Sequence, residues 1–236
     1  MTRSPELQLQ PDISRYTLAR FLDDVAQRHA GRVAISGETS EITFEDLRKR
    51  ARVLAKGLVA SGVVKGARVA VLLGSRPEWA VAYFGVGLVG AVVVPVNTFA
   101  KPQELDHILR HSDASTLILQ TKVAGNHFLA DLMSRHPSVA EGTPGQLACE
   151  ALPHLRRVFA FDPDAFDPDG TAEPSQPGIG TWQDLFTAEG AVSDALLDAM
   201  SEQIEPSDDA MIVYTSGTTA LPKGVVHLQR APVIQA

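Results

Sequence analysis

No charged or strongly polar side chain occurs in residues 79–96, and this uncharged run limits the folds that the chain can adopt. A run of this length could cross a bilayer as one helix. However, Gly85, Gly87 and Gly90 interrupt it, and the β-branched segment AVVVPV near its end favours a strand. We therefore predict a buried helix that turns at Gly90 into a buried strand, with a membrane span as the alternative.

Helix and strand signals alternate on both sides of this run. The strand signals are the short apolar segments VAIS, RVAVLLG, AVVVPV, STLILQ and RVFAFD. Helix starts are indicated by Thr17, by Thr43 and by Pro77 in a first turn, and helix ends by Gly31 and Gly62. Further helices are expected over KPQELDHILRHSD, TWQDLF and SDALLDAM. This alternation predicts an α/β fold with mostly parallel sheets flanked by helices.

The middle of the chain is less regular. Residues 121–156 show helical patterns that prolines interrupt, and residues 162–180 are rich in proline and glycine, which predicts a surface loop. This loop is short and lies close to further helix and strand signals. We therefore place no domain boundary in it.

Composition excludes several classes of protein. The chain is 44% hydrophobic, which is enough for a core and excludes a disordered or fibrous protein. Its 21 Lys and Arg against 28 Asp and Glu give a net charge of −7, which disfavours nucleic-acid binding. The single cysteine, Cys149, cannot form an internal disulfide, and the first residues show no charged-then-apolar leader. We therefore expect a cytoplasmic protein.

The strongest functional signal is the segment MIVYTSGTTALPKGVVH (residues 211–227). An apolar strand leads into a loop with four hydroxyl side chains and a glycine, which a lysine and a second glycine close. Polyphosphates bind short donors, backbone N–H groups left open by small residues, and a compact cation. The loop supplies each of these, so we predict a nucleotide-phosphate loop, with a surface turn rich in Ser, Thr and Gly as the alternative.

This loop differs from the Walker A loop of P-loop kinases. That pattern has Gly directly before its Lys and Ser or Thr directly after it. Here Pro222 precedes Lys223 and Gly224 follows it. A P-loop kinase or nucleotidase is therefore excluded.

The segment TSGTTALPKG resembles the signature loop of the AMP-forming adenylate-forming superfamily, which includes acyl- and aryl-CoA synthetases, luciferases and peptide-synthetase adenylation domains. Two earlier segments, ITFEDLRKRARVLAKGL and GLVGAVVVPVN, are similar to blocks of that family in the same order. The resemblance covers most of the chain from Leu18 onward. It implies that residues 1–236 are the N-terminal part of the AMP-binding (adenylation) domain, with an incomplete form of the adenylate-forming fold.

The resemblance also implies a reaction. ATP and a carboxylic acid give an acyl-adenylate and pyrophosphate, and coenzyme A then takes the acyl group as a thioester. Gly217 and Gly224 would let the loop move, and His227 would lie near the acyl pocket, with a structural role for His227 as the alternative. The residues that the resemblance assigns to the ATP phosphates and Mg²⁺ are Thr215, Ser216, Gly217, Thr218, Thr219 and Lys223.

Two departures from the family affect activity. Ala220 stands where the family usually has Gly, which costs on the order of 1 kcal/mol if that position needs a positive φ. The family's adenine and ribose motifs, hinge, catalytic lysine and small C-terminal domain have no counterpart before Ala236. We therefore identify no catalytic residue and expect an inactive fragment of an acid–thiol ligase. A non-catalytic remnant and a luciferase- or peptide-synthetase-type fragment are the alternatives, and exposed apolar surface would favour self-association.

The remaining candidates have simpler explanations. His107 and His111 are four residues apart on a predicted helix, but Ile108 stands where the zinc-protease pattern needs Glu. We expect solvated histidines and no metal site. Cys149 has no base pattern beside it, and Arg76 precedes a predicted helix, so both are interpreted as structural.

Overall fold

A computed structural model describes residues 16–37, 41–163, 176–215 and 221–236. Its strands are β1 (Val33–Ser36), β2 (Glu41–Thr43), β3 (Arg68–Leu72), β4 (Val92–Pro95), β5 (Thr116–Gln120), β6 (Arg157–Phe161), β7 (Gly180–Thr181), β8 (Asp209–Thr215) and β9 (Lys223–Leu228). Its α-helices are α1 (Leu18–His29), α2 (Phe44–Ala60), α3 (Pro77–Val89), α4 (Pro102–His111), α5 (Phe128–Arg135), α6 (Pro137–Glu141), α7 (Trp182–Thr187), α8 (Asp194–Glu202) and α9 (Arg230–Gln235). A 3-10 helix (Ala188–Ala191) follows α7.

One sheet dominates the fold. Its seven strands have the order β7-β6-β5-β3-β4-β8-β9. Neighbouring strands run parallel except β8 and β9, which are antiparallel. Strands β1 and β2 form a separate antiparallel pair. The predicted α/β fold, with a mostly parallel sheet flanked by helices, is therefore confirmed.

Helices cover both faces of the large sheet, so its central strands are buried on both sides. Along β3, Val69 and Val71 face a core shared with α1, α2, α3, α7 and α8. Ala70 and Leu72 face a second core shared with α4, α5 and α6. Every residue of β5 is buried. Burial on both faces explains why these strands are continuous apolar runs in the sequence.

The uncharged run forms most of α3 and all of β4. Helix α3 begins at Pro77 and is capped by Gly90, whose φ of 75° is a left-handed conformation that glycine adopts without steric cost. Strand β4 follows directly. The prediction of a buried helix that turns at Gly90 into a buried strand is confirmed. Within the described ranges, no helix is long and apolar enough to cross a membrane.

Threonine side chains define the starts of three helices. The Thr17 side chain accepts a hydrogen bond from the backbone N–H of Arg20 at the start of α1. At α2, Thr43 and Asp46 form a capping box, in which each side chain accepts a hydrogen bond from the backbone of the other. The same box recurs at Thr181, before α7. The predicted starts at Thr17 and Thr43 are confirmed.

Residues 121–156 contain less helix than the sequence predicts. Only α5 and α6 are helical there, and Pro137 occupies the first turn of α6. Beyond α6, Gly145 has a φ of 87°, and irregular backbone buries Leu147 and Leu155 in the second core. The positive φ of Gly145 is incompatible with a continuous α-helix, yet the apolar side chains of this segment still reach the core.

The other differences concern short or exposed segments. Strands β2, β7 and β9 are not among the strands predicted from the sequence. Residues 164–175 of the predicted surface loop lie outside the described residues. At the end of that loop, Ile179 is buried and Gly180 already belongs to β7. The sheet therefore resumes at Gly180, the last residue of the predicted loop.

Candidate functional site

The predicted phosphate loop connects the last two strands of the sheet. Strand β8 ends at Thr215 and β9 begins at Lys223, and these two exposed residues are register partners. We call residues 209–228, which comprise β8, β9 and their connection, the β8–β9 hairpin. The structure fixes both ends of the predicted loop, whereas five of its residues lie outside the described ranges: Ser216, Gly217, Thr218, Thr219 and Ala220.

The carboxyl ends of β3, β4 and β8 lie at one edge of the sheet, because neighbouring strands among them run parallel. From this edge, α3 packs on one face of the sheet and α4 on the other. Such a change of face opens a crevice in which α/β sheets bind ligands. A cavity of about 580 Å³ occupies this position, and its lining includes Gly74, Ser75, Arg76, Trp79, Asn97 and Thr98.

Hydrogen bonds hold the two loops that follow β3 and β4 and line this cavity. The backbone N–H of Gly74 donates to Oε1 of the buried Gln120 at 3.1 Å, and a Cβ at position 74 would lie 3.2 Å from the same oxygen. In the loop after β4, the carbonyl of Thr98 accepts a hydrogen bond from Nδ2 of Asn126 at 3.1 Å. Both loops are thus tied to neighbouring segments of the chain.

Arg76 lines the cavity, but its charge already has partners. Its Nε lies 3.2 Å from a carboxylate oxygen of Glu78, and its guanidinium carbon lies 5.4 Å from the centroid of the Phe161 ring. These contacts agree with the interpretation of Arg76 as a structural residue.

The two histidines of α4 contact the β8–β9 hairpin. Nε2 of His107 lies 2.9 Å from the carbonyl oxygen of Pro222, and Nδ1 of His111 lies 2.8 Å from the Tyr214 hydroxyl. The expectation of solvated histidines is wrong for His107, which is half-buried, and incomplete for His111, which is exposed yet hydrogen-bonded. Among the described residues, no group of three His, Cys, Asp or Glu side chains is arranged to hold a metal ion.

Tyr214 lies between the hairpin and these histidines. Its ring meets those of His107 and His111 edge-on, with centroid distances of 6.3 and 5.7 Å. Burial raises the pKa of Tyr214 and the charge of Asp113 adds to this, while a hydrogen bond with Ser112 acts in the opposite direction. The hydroxyl is therefore protonated at neutral pH and is able to donate a hydrogen bond.

The other face of the hairpin carries the predicted ligand-binding side chains. Lys223 and His227 are four residues apart in β9, and their register partners are Thr215 and Met211. Because side chains alternate along a strand and paired residues share a face, Lys223, His227 and Thr215 project to one side and Tyr214 to the other. His227 is half-buried.

Gly224 lies inside β9, opposite Tyr214. A Cβ there would lie 2.8 Å from Cγ2 of Ile212 and 3.3 Å from Cζ of Tyr214. The resemblance implied that Gly224 permits loop movement. In the structure, Gly224 is paired with Tyr214 in the sheet, and its lack of a side chain leaves room for the tyrosine ring. Cys149 is buried in the second core, in agreement with a structural role.

The phosphate loop is predicted from the sequence, whereas two features of this edge are not. The cavity is predictable from the sequence, because the segments GSRP and VNT lie at the ends of predicted parallel strands, where ligand-binding loops occur. The contact between His107 and Pro222 is not predictable from the sequence, because 115 residues separate them.

Known proteins share this architecture. The family model for AMP-binding enzymes matches residues 22–236. YngI of Bacillus subtilis strain 168, a protein assigned to the acyl-CoA synthetases, is 32% identical over 212 residues, which are 89% of this chain and 37% of YngI. 4-Coumarate–CoA ligase 2 of Oryza sativa subsp. japonica is 31% identical over 201 residues, which are 85% of this chain and 31% of the ligase.

Solved structures agree with these relatives. The anthranilate CoA ligase AuaEII in complex with anthranoyl-AMP superposes with a TM-score of 0.71 at 25% identity, covering 92% of this chain and 35% of the ligase. The Mycobacterium tuberculosis fatty acyl CoA synthetase has the same fold, with a TM-score of 0.63 at 22% identity over 91% of this chain and 35% of that protein. The chain thus spans well under half the length of these proteins. Since the family match extends over most of its residues, the chain belongs to the AMP-binding enzyme family.

Proposed function

We propose that the chain is part of an ATP-dependent acyl-CoA synthetase and that its β8–β9 hairpin binds the phosphates of ATP. The observation that carries this proposal is the position of Thr215 and Lys223. They are paired and exposed, at the carboxyl end of β8 and the start of β9, and they bracket the hydroxyl-rich segment in the sequence. The relatives support it, because their names include acyl-CoA synthetase and 4-coumarate–CoA ligase.

The proposed chemistry follows from charge. Adenylation brings a carboxylate against an anionic triphosphate, so the protein has to neutralise charge and position both reactants. Lys223 supplies a compact cation at the start of β9. Hydroxyls of the loop supply short donors to phosphate oxygens, together with the backbone N–H of Gly217. The proposed phosphate-binding residues are Thr215, Ser216, Gly217, Thr218, Thr219 and Lys223.

Mg²⁺ fits the same donor set. It is a hard cation that prefers oxygen ligands and is usually bound through substrate phosphates. The Thr215 hydroxyl, at the exposed end of β8, offers such an oxygen, and Thr218 and Thr219 are proposed to add others. The ion would neutralise charge on the phosphates.

The remaining substrates are a carboxylic acid, fatty acyl or aryl, and coenzyme A. We place His227 near the acid, since it projects from the same face of β9 as Lys223. The polypeptide of 236 residues is proposed to bind nucleotide without completing adenylation, because it spans 37% of YngI. A non-catalytic remnant and an adenylation fragment of the luciferase or peptide-synthetase type are the alternatives. Exposed Val225 and Val226 on the edge strand β9 support self-association of this polypeptide.

Calorimetry of MgATP binding tests this proposal. The wild-type chain is expected to bind MgATP, and Lys223→Ala to weaken binding about tenfold or more, because a charge-assisted hydrogen bond contributes roughly 1.5–3 kcal/mol. Lys49→Ala is the matched control, since Lys49 is an exposed lysine of α2 paired with Glu45. Equal affinity of wild type and Lys223→Ala would contradict the assigned role of Lys223. Formation of acyl-adenylate by the isolated polypeptide would contradict its proposed inactivity.

A further inference from the structure

Helix α4 presents two histidines to the β8–β9 hairpin. His107 and His111 are one helical turn apart, so they lie on the same side of the helix, and their ring centroids are 5.3 Å apart. The buried residues Leu105, Ile108 and Leu109 anchor the same helix in the second core. The two imidazoles therefore project from a fixed element rather than from a loop.

The histidines contact the hairpin on opposite sides of the predicted phosphate loop. Tyr214, the partner of His111, directly precedes Thr215 in β8, and Pro222, the partner of His107, directly precedes Lys223. Both contacts lie one residue from a proposed phosphate ligand. They thus join both ends of the loop to one helix.

The contact to Pro222 orients the peptide of Lys223. A carbonyl oxygen only accepts hydrogen bonds, so Nε2 of His107 carries the proton and donates. The carbonyl of Pro222 and the N–H of Lys223 belong to one planar peptide unit and point in opposite directions. Fixing that oxygen toward α4 therefore directs the N–H of Lys223 away from α4.

The contact to Tyr214 depends on Gly224. The tyrosine ring lies against this glycine, and a Cβ there would be 3.5 Å from the hydroxyl oxygen that meets His111. Any side chain at position 224 would crowd the ring. The glycine that follows Lys223 thus allows the tyrosine to reach the helix.

We propose that His107 and His111 are positioning residues that hold the two ends of the phosphate-binding loop in register through Pro222 and Tyr214. This inference rests on the proposed function for its purpose, but its structural content is independent of that function. The histidines act on the peptide of Lys223 and on the end of β8, and they do not contact the phosphates themselves.

Hydrogen exchange of the nucleotide-free chain tests this inference with two substitutions at one site. His107→Leu keeps the bulk and removes the donor, whereas His107→Gln places an amide donor at a similar reach. We expect His107→Leu to accelerate exchange about 3- to 10-fold at Thr215 and Lys223, the net effect of one lost hydrogen bond. His107→Gln is expected to restore most of the protection. His29→Leu, on the exposed end of α1, is the control.

The pattern of exchange separates positioning from general stability. Exchange at the pair Met211 and His227, which lies at the end of the hairpin away from the loop, is expected to be unchanged in His107→Leu. Unchanged exchange at Thr215 and Lys223 would overturn the inference, as would faster exchange along the whole hairpin or a Gln variant that behaves like Leu. MgATP affinity is measured on the same proteins and is expected to follow the exchange. If the wild-type chain bound no MgATP, the proposed function would fail, while the exchange result would still decide the role of the histidines.

Discussion

The central strands and the β8–β9 hairpin belong to one sheet but differ in what surrounds them. All five residues of β5 are buried between two helical layers. In β9, by contrast, Val225 and Val226 are 46% and 51% exposed, and Lys223 is exposed as well. Burial on both faces fixes the parallel strands, and the hairpin at the edge keeps side chains accessible to a ligand. Stability and the proposed ligand binding are thus assigned to different parts of the sheet.

The largest effect is expected where the helical layer has no free space. Gly57 lies in α2 against the backbone carbonyl of Leu185 in α7, and a Cβ would overlap that carbonyl. Gly57→Ala is expected to lower the free energy of unfolding by about 1–3 kcal/mol, because α7 has to move to make room for the Cβ. This cost is larger than the gain in helix propensity from replacing glycine by alanine. Urea denaturation measures the change in stability.

Gly31→Ala is the matched control, since a Cβ at position 31 meets nothing within 4 Å. Its stability is expected to stay within about 0.5 kcal/mol of wild type. A cost for Gly57→Ala no larger than that of Gly31→Ala would show that the packing of α2 on α7 is loose.

A smaller, pH-dependent effect is expected where α4 is joined to α5. Burial raises the pKa of Asp106, but its contacts with Arg135 and His136 outweigh burial, so the pKa lies below the ordinary 3.8. A carboxyl with a lowered pKa stabilises the fold above 3.8 and loses that contribution as the pH falls through its folded-state pKa. Asp106→Asn is therefore expected to be less stable than wild type at neutral pH, with the difference shrinking below pH 3.8.

Thermal melts of wild type and Asp106→Asn, recorded about once per pH unit across the acidic and neutral range, measure this difference in stability. Asp198→Asn is a useful comparison, because Asp198 pairs with Arg52 on the other side of the sheet, away from α4. A constant gap between Asp106→Asn and wild type at all pH values would contradict an ionic contribution from Asp106.

The same contrast explains what the sequence could predict. The strands β3, β4 and β5 are buried on both faces along their central residues, so each contains an uninterrupted apolar run. Thr43 and Asp46 form a local capping box, which a short segment specifies by itself. The edge elements depend on distant partners. β7 has two residues and exists through pairing with β6, and β9 begins with a Lys-Gly pair that is typical of a turn.

For the candidate site, residue types were predictable and their surroundings were not. The hydroxyls and Lys223 are recognisable in one short segment, and so is the family resemblance. Two histidines four residues apart on a helix are compatible with a solvated face, a metal site or a hydrogen-bonded contact. Only the packing of α4 beside β8 brings His107 to Pro222 and His111 to Tyr214.

The smallest effect on stability is expected in the hairpin itself. In Gly224→Ala the new Cβ meets a methyl group of Ile212 and the ring of Tyr214, which are side-chain atoms at a half-exposed position. They are able to shift, so we expect a loss below about 1 kcal/mol, less than for Gly57→Ala. The tyrosine ring, however, would move away from α4. Because burial raises the pKa of Tyr214, its displacement is expected to lower that pKa toward 10.0.

Absorbance titration of the tyrosines measures this shift. Tyr83 is the other tyrosine with a raised pKa among the described residues, at about 12, and Tyr214→Phe identifies the contribution of Tyr214. If Gly224→Ala cost as much stability as Gly57→Ala, the hairpin would be packed as tightly as the helical layer. If instead the Tyr214 titration were unchanged, the ring would not depend on the space above Gly224. The expected result, a small loss of stability with a lowered Tyr214 pKa, would mean that Gly224 serves the contact with His111 more than the stability of the sheet.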